Sequence, residues 1–256
     1  MKLNSWDEFN KIRLDAKIKK VTIENRVFVR HINPDKSIGG FVEVTAKVEK
    51  TSYIEFSTQV YGDAQVFGNA RVYGNAWVFG NAQVYGDARV YGDAQVSGDA
   101  WVSGNAQVSG NARVYGNAWV FGNARVYGNA QVSRNARVYG NAWVSGDAWV
   151  SGNARVSGNA WVSGNAWVYG DAQVYGDAQV SGNAWVYGDK IISILKTIQV
   201  FQHCVSITDN FVFYCCNKLT HQEVRKLTYE KSGTKAYMTE KQFKILKEIV
   251  LKAIKF

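Results

Sequence analysis

Residues 60–77 read VYGDAQVFGNARVYGNAW, three six-residue words sharing the frame V-[YFS]-G-[ND]-A-[QRW]. From Val60 to Ile191 the chain holds twenty-two such words without an insertion or deletion, the last of them, VYGDKI, keeping only the first four positions of the frame. A short fixed period marks a solenoid whose repeats stack on their neighbours, and a six-residue period marks a parallel β-helix. Within a word, Ala64 and Val66 alternate with Gln65 and Phe67, which is strand periodicity. The alternation predicts Ala64 and Val66 inside, Gln65 and Phe67 outside, and a corner at Gly68-Asn69. Function is then expected on the outer surfaces or at the ends.

These words resemble those of the left-handed hexapeptide β-helix family, whose pattern puts an aliphatic residue and, four positions on, a small residue at the interior. The resemblance implies three strands and three corners per turn, about 18 residues per coil, and a left-handed winding that departs from the usual right-handed crossover. The expected fold class is mainly β: a single-stranded left-handed parallel β-helix over 41–191, an N-terminal helix/hairpin cap over 1–40, and a C-terminal α+β module over 192–256. About seven regular coils would make a rod of roughly 35 Å. Degenerate words at Val42, Val48 and Ile54, with Ala46, Ser52 and Thr58 at the small position, place the start near Phe41. Arg134 stands where the other twenty-one words have Gly. Asn135 is expected to take the left-handed backbone there, since Asn tolerates it.

The ends differ from the rod. Residues 1–59 hold 11 basic and 8 acidic side chains, residues 60–189 hold 7 and 8, and residues 190–256 hold 12 and 5. The net charge of +9 therefore belongs to the ends, and the rod has no basic track for nucleic acid. Neither a signal-like apolar run nor a membrane-length segment is present, so a cytoplasmic location without membrane contact is expected. Cys204, Cys215 and Cys216 are too few for a disulfide framework and lack the spacing of a zinc site. Ser5 and Glu8 box a short helix carrying Trp6, Phe9, Ile12 and Leu14, and two strands flank Glu24-Asn25. Beyond Asp189, strands around an Asp209-Asn210 turn precede two helices, boxed by Thr220/Glu223 and by Thr239/Gln242. The first is expected to carry Val224 and Leu227 and stop near Gly233, the second Phe243, Leu246, Ile249 and Val250.

An eighteen-residue coil sorts the outward residues into columns. Trp149, Trp167 and Trp185 form one row, with Tyr169 and Tyr187 beside it; Trp143 with Trp161 and Trp101 with Trp119 form others. Exposed aromatic rows on flat sheets are candidate association surfaces. Arg137 over Arg155 and Arg71 over Arg89 are like-charge rungs and candidate anion sites.

Hexapeptide acyltransferases need a His near the coil and related zinc enzymes need several, yet no His lies between His31 and His203. No catalytic residue, metal or cofactor is therefore expected. The SIGGFVE segment, the YGNARVYGNAWV tract and the strand-then-helix tail are similar to hexapeptide-repeat proteins of bacteriophages and prophages, labelled transferases from the repeat alone. The resemblance to hexapeptide β-helices implies a homotrimer packed through the flat faces, and the phage resemblance implies a protein that binds or blocks a host component, counter-defence included. With no catalytic His in the solenoid, a non-catalytic role is expected. The alternatives are an oligomer sequestering an anionic small molecule such as a nucleotide, and third an acyltransferase.

Overall fold

A computed structural model describes residues 1–187, 194–200, 203–208, 211–214, 217–226 and 240–254. The words form a parallel β-solenoid in which each residue sits beside the one eighteen positions on: Gln83 pairs with Gln65 on one side and with Trp101 on the other. Each word supplies a two-residue strand, such as Gln83–Val84, followed by a corner. Three flat faces result. The first runs through Phe41, Gln59 and Trp77, the second through Lys47, Gln65 and Gln83, the third through Tyr53, Arg71 and Arg89.

Inside, the Val and Ala columns from Val60 to Val186 are buried along the whole rod. Bonds such as Gln83 N–H to Ala100 O (2.8 Å) and Tyr85 N–H to Val102 O (3.0 Å) tie each coil to the next. The corner glycines hold φ between +63° and +73°. A Cβ on Gly92 would also stand 3.0 Å from the backbone nitrogen of Gly110, so the corner demands glycine twice over.

Arg134 corrects the expectation made for its corner. Its own φ is +58°, and Asn135 is not in the left-handed region. Coil register explains why: the Asn135 N–H must reach Gly152 O (2.9 Å), and its side chain accepts from Asn117 and donates to Asn153 (3.2 and 3.1 Å). The corner geometry is imposed by the stack, and Arg134 bears the strain.

The N-terminal cap extends the first face. Strands β1 (Lys2–Leu3), β2 (Lys20–Ile23), β3 (Arg26–Ile32) and β4 (Ile38–Glu43) run into the solenoid in that order. Glu24 and Asn25, with φ of +48° and +67°, form the turn between β2 and β3. Helix α1 (Trp6–Ile12) starts where the Glu8 N–H donates to Ser5 Oγ at 3.2 Å; Glu8 in turn accepts from the Asn4 N–H at 2.8 Å. Phe9 is buried against Phe28 and Phe41. Leu14, expected on the helix's apolar side, lies beyond its end and is exposed.

Arg30 locks the cap to the first coil. Its guanidinium donates to five carbonyl oxygens, of Ile18, Gly39, Phe56, Arg13 and Asp15, at 2.6–3.4 Å. It also lies 3.8 and 3.9 Å from the ring centroids of Phe41 and Phe56. Burial pushes it down to about 10, with Asp15 opposing.

The first coil has no Gly-Asx corners and uses side chains in their place. Glu43, Glu49 and Glu55 accept from the N–H groups of Gly62, Gly68 and Gly74, while Thr45, Thr51 and Ser57 donate to the carbonyls of those same glycines. The threefold [VI]-E-x-[TS] pattern is thus a terminal cap written at the repeat period.

Toward the C-terminus, an antiparallel sheet of Ile194–Val200, His203–Thr208, Phe211–Tyr214 and Asn217–Thr220 precedes helices His221–Lys226 and Glu240–Ile254. Thr220 ends a strand and directly precedes its helix. Val224, Phe243 and Val250 are buried. The expectations for Asp209-Asn210, Cys215, Cys216, Leu227, Gly233 and Thr239 fall outside the described residues, as do those for the side chains of Leu246 and Ile249. No helix among the described residues is long and apolar enough to cross a membrane.

Candidate functional site

Registry alone brings the tryptophans together. On the first face Trp149 and Trp167 stack at 4.9 Å between centroids and Trp167 and Trp185 at 5.4 Å, with Tyr169 and Tyr187 stacked alongside at 5.4 Å. Trp143 and Trp161 stack at 4.8 Å on the third face, and Trp101 and Trp119 at 4.9 Å on the second. All the expected rows form.

Their exposure differs, for a local reason. Tyr85 leans edge-on against Trp101 (6.0 Å) and Tyr127 against Trp143 (6.2 Å), and both tryptophans are half-buried. Ser133, Ser145 and Ser151 occupy the matching positions, sixteen residues before Trp149, Trp161 and Trp167. Those tryptophans are 38%, 47% and 38% exposed. Trp185, last in its row, is 55% exposed although Tyr169 holds its matching position, and Trp119, behind Ser103, is half-buried with Arg137 over its ring. Indole area therefore reaches solvent mainly in the later coils, on the first face and on the third.

The arginine rungs behave unequally. Arg137 neighbours Arg155 by register but lies over the Trp119 ring at 4.8 Å, and Arg125 lies over Trp143 at 5.0 Å. These cation–π contacts, which the column pattern contained but did not announce, give the guanidinium groups a favourable neighbour. Arg71 and Arg89 line a shallow basin of about 1010 Å³ with Tyr53 and Tyr73. Asp35, Glu55 and Asp87 line it too, so its charge is mixed.

Two further features went unread in the sequence, apart from the Tyr169/Tyr187 pair. Aromatic residues one place after the valine also stack: Tyr61 on Phe79, Tyr73 on Tyr91 and Phe121 on Tyr139, at 4.8–4.9 Å. Corner Asn side chains form ladders, as in Asn105 to Asn123 to Asn141 to Asn159 to Asp177, at 2.9–3.2 Å. The signal for both was present, since each residue type recurs at spacing eighteen. Where an Asp occurs it ends the run, because a carboxylate accepts and cannot donate, while the Asn165–Asn183 run contains none.

Among the described residues, no group of three or more His, Cys, Asp or Glu gathers as metal ligands do. His31 lies in the cap with Nε2 3.1 Å from Ser52 O. Burial lowers its pKa, opposed by that bond.

Fold and surface together define a β-helix repeat protein with aromatic rows on its faces. Nine stretches, at 64–80, 82–98, 106–121, 120–134, 136–152, 148–164, 154–170, 172–188 and 178–193, match the YdcK Beta solenoid repeat, to which the coiled part of this chain is similar. A comparison with curated proteins gave no match.

Proposed function

We propose that this solenoid is a non-catalytic binding scaffold whose contact surface is the Trp149–Trp167–Trp185 row. The observation that carries the reading is the 38–55% exposure of three mutually stacked indoles on a rigid flat sheet. Rigid aromatics contribute contact area at little conformational cost, and they dominate interface hot spots. Self-association into a trimer through this face is the first assembly to expect, and a macromolecule of the host or of a phage is the second class of partner. Blocking such a component, counter-defence included, requires adhesion and no chemistry. Sequestration of an anion at the Arg71/Arg89 basin is the weaker reading, because three carboxylates share that basin.

Native mass spectrometry of the full chain tests the proposal. Wild type is expected as an oligomer or a stoichiometric complex, and Trp149→Ala with Trp167→Ala is expected to release it while the far-ultraviolet spectrum stays unchanged. A monomer without partner, or a double variant that stays assembled, overturns the role of the row. Acetyl transfer from acetyl-CoA by the pure protein overturns the non-catalytic reading.

A further inference from the structure

Serine interrupts the corner aromatic columns at several levels of the rod, and at one level all three columns lose a single ring. Ser97, Ser103 and Ser109 occupy three successive corners, and each stands midway between aromatics eighteen residues before and after it: Phe79/Tyr115, Tyr85/Phe121 and Tyr91/Tyr127. Across one missing ring, the flanking aromatics are two rungs apart, about 10 Å. That gap accepts one flat ring at the spacing which the uninterrupted columns already use, 4.8–4.9 Å per layer.

The walls of the Ser109 gap are held by the fold. Tyr91 stacks on Tyr73 within 2° of parallel, and its hydroxyl donates to Gln107 Oε1 at 3.4 Å. Tyr127 rests edge-on against Trp143 at 78°. Tyr61 makes the same kind of edge contact with Trp77 while stacking on Phe79 at 7°, so an edge-held tyrosine still presents its face along the column. Tyr127 is 36% exposed, with serine at the corner on either side of it, Ser109 and Ser145. A cavity of about 210 Å³ opens between Tyr91 and Tyr127, and Gln107, Ser109, Arg125 and Trp143 complete its lining. Arg125, exposed and lying over Trp143, puts a permanent positive charge at the rim. The Ser103 gap, about 140 Å³, is lined by Tyr85, Trp101, Trp119 and Phe121 and has no cation in its lining.

We propose that the Ser109 slot binds a planar aromatic ring bearing an anionic group, the ring sandwiched between Tyr91 and Tyr127 and the charge on Arg125. The Ser109 hydroxyl at the floor and Gln107 at the side address the ring's edge. Nucleotides and aromatic carboxylates share this chemistry. The site is separate from the tryptophan row and stands or falls independently of it.

Titration calorimetry on the full chain uses AMP, adenosine, ribose 5-phosphate and indole-3-acetate as probes. AMP or indole-3-acetate is expected to bind, and whichever binds more tightly assigns the source. Adenosine, which lacks the charge, and ribose 5-phosphate, which lacks the ring, are expected to bind at least tenfold more weakly than AMP if the nucleotide is the ligand. Ser109→Tyr fills the gap with the residue that the intact columns use, so it is expected to keep the unfolding temperature and remove one site from the stoichiometry. Arg125→Gln is expected to weaken the charged probe tenfold or more and leave adenosine unchanged. The proposal is overturned if neither anionic aromatic binds at millimolar concentration, if ribose 5-phosphate binds as tightly as AMP, or if Ser109→Tyr leaves the stoichiometry intact.

Discussion

The first coil with its cap and the coils after Val60 face one problem, backbone groups at the edge of a stack, and they meet it by opposite means. After Val60, each coil satisfies the one before it through repeated backbone bonds, and side chains need only be small inside and glycine at the corner. Before Val60, backbone bonds such as Lys47 N–H to Ala64 O are supplemented by individual side chains: three Glu and three hydroxyls that bond the corner glycines of the next coil, Asn33 Oδ1 accepting from the Ile54 N–H at 2.8 Å, and Arg30 serving five carbonyls. Repetition spreads stability over many equivalent contacts, whereas the cap concentrates it in a few irreplaceable ones. Single substitutions should therefore act strongly in the cap and weakly in the rod.

Arg30→Ala is the most damaging expected change, because it orphans several carbonyls at once. A loss of at least about 3 kcal/mol is expected. Hydrogen exchange should accelerate over residues 1–40 and stay unaltered in the central coils; uniform acceleration would mean that cap and rod open as one unit.

Arg134→Gly should stabilise the rod by about 1 kcal/mol, by removing a left-handed non-glycine residue from a corner that demands that backbone. Part of the gain is offset by the freer unfolded chain. The readout is a higher urea midpoint at constant slope, and a lower midpoint would show that Arg134 makes a compensating contact.

Asn135→Asp should cost roughly 0.5 kcal/mol, since a carboxylate can accept from Asn117 but cannot donate to Asn153. Asp99→Asn should act oppositely, by supplying a donor toward Asn117. Paired thermal melts of the two variants would test whether ladder direction matters.

The smallest expected effect is on pH. His31 has a folded pKa depressed below its ordinary value of 6.5, chiefly by burial, so the folded state disfavours its protonation. Its contribution to stability is present above pH 6.5 and lost as the pH falls toward the folded value. Melting temperature should drop between pH 7.5 and pH 5.5 in wild type and less so in His31→Gln. In that range Glu43 stays ionised: burial alone would raise its pKa, but bonds from Arg26 and Gly62 keep it below the usual carboxylate value.

The tryptophan rows were legible because register without slippage turns sequence position into spatial column, and nothing else was needed to bring Trp149 to Trp167. The same arithmetic contained the Asn ladders and the corner aromatic columns. Alternation already turns the post-valine aromatics outward, whereas the direction of each corner Asn side chain is left open by it. The misassignment at Arg134 has a related cause: local tolerance favoured Asn135, but the bond to Gly152 belongs to the next coil and outweighs local preference.

Sequence alone settled the six-residue frame, the alternation of small and large positions, and therefore a coil whose neighbours are eighteen residues apart. Only the tertiary structure decided which residue bears the corner strain, which indoles reach solvent, and how Arg30 closes the first coil. The reason is range: periodicity is a property of adjacent residues, while exposure and strain depend on what the neighbouring coil places against them.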